Sequence, residues 1–158
     1  GAVYQGNTEK ERNLKIANYL AAYLKAQGHT VYMTRDKDVY MSLPDRATYA
    51  NNRKAACYIS IHNNAGGGDG CEFIYYPTSN AGKRLAECMK NAVVAGTGQN
   101  FRRHIARDDA DVRLTQMPAV IVECAFMDNP TDYAIIATDE GCRKMGEAIG
   151  KGVINWFE

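Results

Sequence analysis

The sequence predicts an α/β fold: a single layered domain with a mostly parallel central sheet and helices on both of its faces. Three observations lead there. Short β-branched runs alternate along the chain with longer segments of helical periodicity. One run, Cys57-Tyr58-Ile59-Ser60-Ile61, ends in His62-Asn63-Asn64 and then a glycine loop at Gly66, Gly67, Gly68 and Gly70. Open α/β sheets place their ligands at such carboxyl ends of strands. The length, 158 residues, suffices for one core without covalent staples.

The elements follow in order. Gly1 to Gly6 is short, turn-rich and aperiodic, and Asn7-Thr8 leads into Glu9-Lys10-Glu11, acidic residues suited to a helix start. Leu14, Ala17, Leu20, Ala21 and Leu24 recur at helical spacing up to Gly28. Thr30 to Arg35 alternates and is β-branched, which predicts a strand, and Asp36-Lys37-Asp38 a loop. Pro44 opens a second helix through Ala47 and Ala50 to about Lys54. After the central strand, Cys71 to Tyr76 predicts another strand, and Ser79 caps a helix carrying Leu85, Ala86, Met89, Ala92 and Val93. From Gly96 to Gln116 the pattern dissolves into a polar region with Arg102, Arg103, Arg107 and Arg113 among aspartates, with room for a short strand. Ala119 to Phe126 is a buried strand, broken by Asp128-Asn129-Pro130, and Thr138 or Asp139 starts a last helix through Met145, Ile149, Val153 and Trp156. No repeat, linker or low-complexity segment divides residues 1–158.

Composition narrows the function. With 19 basic and 18 acidic side chains, the chain lacks the positive field of a nucleic-acid or anionic-membrane binder. No apolar run approaches a membrane span, and the start does not resemble a signal peptide. Cys57, Cys71, Cys88, Cys124 and Cys142 occur singly, without a C-x-x-C pair, so neither a disulfide framework nor a thiolate zinc site is expected.

Three residues stand out chemically. His62 sits at the end of a core strand, where it either caps the strand or serves a site. Glu123 lies within the apolar run Ala119 to Phe126, where a carboxylate is costly to bury unless paired, metal-linked or protonated. A solvated face of an edge strand is the alternative; a buried glutamate with raised proton affinity would suit general-base work near neutral pH. Glu9 is on its own an ordinary first-turn glutamate, but it could join His62 on a zinc ion, which accepts such nitrogen and oxygen ligands.

Asn7-Thr8-Glu9-Lys10 with Asn13-Leu14, and Thr34-Arg35 with Asp38, Arg46 and Ala50-Asn51, form a first set of signatures. Ser60-Ile61-His62-Asn63-Asn64 forms an S-x-H-x-N block, and Met117-Pro118 through Glu123, with Phe126 and Asn129, an M-P-x-x-x-x-E…F…N block. Together, through essentially the whole chain, they resemble the zinc-dependent N-acetylmuramoyl-L-alanine amidases of the Amidase_3 type. The resemblance implies a zinc ion held by Glu9 and His62, with Glu123 as the catalytic glutamate. It implies hydrolysis of the amide joining N-acetylmuramic acid to the L-alanine of the peptidoglycan stem peptide. The expected protein is a monomer acting on peptidoglycan at the bacterial cell wall, as a secreted autolysin or a phage endolysin released by lysis, with no nucleic-acid partner. A non-catalytic wall-binding module and a zinc peptidase cutting within the stem are the alternatives.

One departure matters. The family opens with a strand ending in a histidine-glycine motif, whose histidine is the remaining zinc ligand, and Gly1-Ala2-Val3 looks like the segment just after it. That strand and ligand are therefore expected to be missing here. His29, in a helix-to-strand turn, and His104, in the arginine-rich region, are the only other histidines. The arginines suggest contacts to substrate carboxylates or a solvated loop. Tyr75, Tyr76 and Phe101 suggest a glycan groove or core packing.

Overall fold

In the computed structural model, residues 3–4 and 6–158 are described; the expectation for Gly1, Ala2 and Gln5 lies outside them. Two short strands, β1 (Val3–Tyr4) and β2 (Asn7–Thr8), pair antiparallel and feed directly into α1 (Glu9–Ala26). The helix starts where it does because Thr8 and Glu11 close a capping box, each side chain satisfying the other's backbone N–H.

The main sheet has four strands: β3 (Tyr58–Asn64), β4 (Cys71–Tyr75), β5 (Phe101–Ala106) and β6 (Ala119–Phe126), in the order β3-β6-β4-β5. β3 runs parallel to β6 and β4 to β5, while β4 runs antiparallel to β6. The sheet is thus mixed, with parallel pairs joined by one antiparallel junction. That junction follows from the glycine loop: β3 and β4 have opposite directions, and the gap between them is filled by the later β6.

One face carries the main core. Ile16 and Leu20 of α1, Met89 of α3 (Asn80–Thr97) and Ile149 of α6 (Asp139–Phe157) pack with Phe73 and Val122 of the sheet, all nearly sealed from water. Helices α1 and α6 approach closely because Gly146 offers no Cβ; one built there would stand 2.7 Å from the carbonyl oxygen of Ile16. Burial of these apolar groups is the dominant stabilising term. The other face has a smaller cluster, Ile74, Ala119 and Ile121 beneath Val112 of α4 (Ala110–Arg113). Helix α2 (Leu43–Asn52) is tied to the end of α4 through Asn51, which donates to the Leu114 carbonyl and accepts from the Gln116 N–H. Helices therefore lie on both faces, as expected, but unequally.

Two local expectations change and one is made definite. Thr30 to Arg35 is not a strand, because among the described residues no strand lies alongside to complete its hydrogen bonds. The short strand that the arginine-rich region had room for is β5, whose edge position exposes its charges and hides the alternating pattern. After β6, Asn129 caps an additional helix, α5 (Pro130–Ile136), where only a chain break was expected.

Candidate active site

Register across the sheet places four polar residues in one row. His62 of β3 pairs with Glu123 of β6, Glu123 with Glu72 of β4, and Glu72 with Arg103 of β5. Directly paired residues face the same side of a sheet. The row is therefore a continuous polar stripe on the thinly covered face, beyond the apolar cluster of Ile74 and Ile121. It lies at the carboxyl ends of β3 and β6.

At one end of the row, the first turn of α1 brings Glu9 against His62. Glu9 Oε1 lies 3.3 Å from His62 Nδ1 and accepts from the Asn63 N–H (3.3 Å) and Asn13 Nδ2 (3.2 Å). Burial alone would raise the proton affinity of Glu9, but the hydrogen bonds from His62, Asn13 and Asn63 outweigh it and hold the carboxyl at about 2. Burial likewise lowers His62, yet the hydrogen bond to Glu9 and the charges of Glu123, Glu9 and Asp111 carry it above its ordinary value. The other ring nitrogen, Nε2, is 3.0 Å from Ser60 Oγ, which donates to the buried Asp111 at 2.8 Å. Asp111 thus orients Ser60, and Ser60 the imidazole. Tetrahedral zinc donors at about 2.0–2.2 Å from the ion stand roughly 3.4 Å apart. The Glu9–His62 separation matches that spacing, so these two residues could hold such an ion.

Glu123 is the middle of the row. Its Oε2 is buried and, among the described residues, accepts no hydrogen bond. Burial raises its carboxyl to about 7, His62 opposes this, and the nearby Glu9 and Glu72 carboxylates add to it. A carboxylate in that state can take and return a proton near neutral pH.

The far end of the row is neutralised. Glu72 is buried and accepts from Asn64 Nδ2 (2.6 Å) and from Arg103 Nε (2.5 Å), with Arg102 Nε at 3.8 Å. Arg102 also lies 5.0 Å over the Phe126 ring.

Beside β3 the sheet does not close. A cavity of about 780 Å³ separates β3 from Thr30 to Arg35 and runs from the apolar side of α1, at Leu20 and Leu24, to Glu9 and His62. β3 is an edge strand, and Ile59 and Ile61 are only half-buried, whereas β6 is buried along nearly its whole length.

Residues 1–155 match the Amidase_3 family, described as N-acetylmuramoyl-L-alanine amidase. The chain belongs to this amidase family. It is 32% identical over 162 residues to the N-acetylmuramoyl-L-alanine amidase LytC of Bacillus subtilis (strain 168), covering 99% of this chain and 33% of that protein. It is 33% identical over 161 residues to the endolysin of Bacillus phage SPP1, covering 97% of this chain and 59% of that protein. The chain thus spans only part of these relatives. Among solved structures, an N-acetylmuramoyl-L-alanine amidase from Clostridium difficile 630 superposes with a TM-score of 0.94 at 30% identity, over 99% of this chain and 89% of that one.

Within this amidase fold, Glu9, His62 and Glu123, from three separate blocks of sequence, come together at one end of the sheet. The two other histidines do not join them. His104 packs between Phe73 and Phe101 and meets Glu87 at 2.7 Å, on the helix-covered side. His29 stacks on Phe157 at the distant end of the cavity. Among the described residues no cluster of three histidine, cysteine or acidic groups forms a complete metal cage. Of the aromatic residues considered for a groove, Phe101 is packed against Phe73 and His104, and Tyr75 and Tyr76 adjoin the core. Residue reasoning missed Glu72, Ser60 and Asp111. Glu72 carried the same signal as Glu123, an acid inside the apolar run Cys71 to Tyr75. Asp111 carried none, because its partner Ser60 is 51 residues away.

Proposed function

We propose that this chain is the catalytic part of a zinc-dependent N-acetylmuramoyl-L-alanine amidase, hydrolysing the amide between N-acetylmuramic acid and the L-alanine of the stem peptide at the bacterial cell wall. The observation that carries the reading is the juxtaposition of the Glu9–His62 pair with the unpartnered, buried Glu123 Oε2 on the adjoining strand. Glu9 and His62 would hold the zinc ion, Glu9 already ionised and His62 giving up its proton on coordination. When bound, zinc supplies Lewis acidity that polarises the scissile carbonyl and acidifies water. Glu123 accepts the proton of the attacking water and delivers it to the departing alanine amine. Ser60 and Asp111 fix the imidazole orientation from behind, as outer partners of metal-binding histidines do. Catalytic zinc takes three protein ligands. The third is proposed to be the histidine of the family's first strand, with that strand in the cavity along β3, where an unpaired edge, an apolar helix wall and the metal pair coincide.

The test is mass spectrometry of muramyl-peptide fragments incubated with the protein and zinc, beside a chelator control. Release of free stem peptide beginning with L-alanine, only with zinc, is expected. Cleavage inside the stem would replace the reading with a zinc peptidase. No cleavage, persisting when the first strand and its histidine are supplied, would leave a wall-binding module.

A further inference from the structure

Four arginines lie between Arg102 and Arg113, and the fold treats them differently. Arg107 is clamped by Asp109 through two hydrogen bonds of 2.8 Å, and Arg113 by Asp108 at 2.8 Å. Both are neutralised locally. Arg102 and Arg103 instead share one carboxylate, the buried Glu72, reached through their Nε atoms. Two guanidinium groups against one acid leave a net positive charge, and their side chains remain 37% and 58% exposed. Both are held in place: Arg103 by its 2.5 Å contact to Glu72, Arg102 by stacking on Phe126. The pair also sits at the end of the row that starts at the Glu9–His62 site.

We infer that Arg102 and Arg103 form a specificity subsite for a carboxylate carried on the leaving peptide, positioned by Glu72. The inference rests on the amidase reading. In that reaction Glu123 protonates the departing amine, so the peptide leaves from the Glu123 side of the metal pair, toward β4 and β5. Strands are spaced about 4.8 Å apart, which places Arg103 roughly 10 Å across the sheet from Glu123. An extended peptide advances about 3.4 Å per residue, so the carboxylate addressed is borne two or three residues beyond the cleaved amide. Guanidinium groups suit this task because they bind carboxylates through paired, charge-assisted hydrogen bonds. Glu72 supplies what a free pair would lack: it lowers the mutual repulsion of the arginines and anchors their Nε atoms, while Arg102 Nη1 rests over Gly68.

The test is isothermal titration calorimetry of the protein with two synthetic muramyl tripeptides, identical except that the free carboxylates beyond L-alanine are carboxamides in the second. The acid form is expected to bind about tenfold more tightly. Arg102→Gln and Arg103→Gln should each bring the ratio toward one, while Arg103→Lys, which keeps the charge and lets Glu72 remain paired, should keep part of it. Arg113→Gln, at a locally neutralised site, should keep the wild-type ratio. Equal affinities for the wild-type protein, an unchanged ratio in both glutamine variants, or no binding of either peptide would overturn the inference. Hydrolysis of the same peptides reads the amidase proposal separately. A retained acid preference without cleavage defeats that reading alone, and cleavage without preference defeats the subsite alone.

Discussion

At one edge of the main sheet, β5 turns Arg102 and Arg103 outward and ties them to a buried acid. At the other, β3 presents half-buried isoleucines and an edge backbone to a cavity lined by apolar and charged side chains alike. Exposed edges invite further strand pairing, and charges on an edge discourage it. The β5 edge is therefore protected by charge, and the β3 edge is left open beside the cavity. The difference bears on chemistry because the polar row joins the two: its open end carries Glu9 and His62, its closed end Glu72 and the arginines.

The largest effect is expected in the middle of the row. Glu123→Gln should lower kcat by about 10²–10⁴ in a zinc-competent preparation; turnover near wild type in a steady-state assay would remove Glu123 as the proton carrier.

Next comes stability against pH. The Glu123 carboxyl is raised from 4.5 to about 7 in the folded protein, chiefly by burial. A raised folded value stabilises below the unfolded one, so this contribution is complete below pH 4.5 and is lost as pH rises through about 7. The loss amounts to about 3 kcal/mol. Glu9 works in the opposite sense: held at about 2, it contributes above pH 4.5 and its contribution fades as pH falls toward 2. Urea denaturation between pH 5 and pH 9 should show the wild type weakening more steeply than Glu123→Gln, which keeps only the contribution of the raised His62; parallel profiles would mean that Glu123 is not ionising while buried.

The β3 edge can also be compared with the sheet centre through one residue type. Ile121 of β6 is 6% exposed, while Ile59 of β3 faces the cavity half-buried. Ile121→Ala should cost about 3 kcal/mol and Ile59→Ala about 1 kcal/mol. Equal losses in chemical denaturation would show that the β3 edge is as tightly packed as the sheet centre.

The smallest contrast concerns charge. Arg103→Ala leaves the buried Glu72 carboxylate to Asn64 and Arg102 and should destabilise by about 1–2 kcal/mol. Arg113→Ala opens a surface pair and should leave the melting temperature unchanged. A larger effect at Arg113 would reverse the distinction between anchored and solvated arginines.

Much of this architecture was legible in the residues. The helices beginning at Glu9, Asn80 and Asp139 announced themselves by periodicity and by their capping residues, and β3 and β6 by their apolar runs. Thr30 to Arg35 misled because local alternation reports strand propensity, whereas a strand also needs a neighbour. β5 was obscured for the converse reason: it has a neighbour, β4, but an exposed edge tolerates charge that a central strand would not. His62 and Glu123 were visible as polar groups in apolar runs. Glu9 stood out only as a first-turn glutamate able to reach a cation at His62, and the family resemblance added the expectation that the two converge, since its partner lies 53 residues away. The Ser60–Asp111 support was illegible because register and helix placement create it.

The central claim, that Glu9 and His62 bind the metal while Glu123 performs the proton transfer, is tested most directly by equilibrium zinc binding to the wild type, His62→Ala and Glu123→Gln. The account predicts zinc binding by the wild type, its loss in His62→Ala and its retention in Glu123→Gln. Equal zinc content in His62→Ala, or loss of zinc in Glu123→Gln, would contradict it.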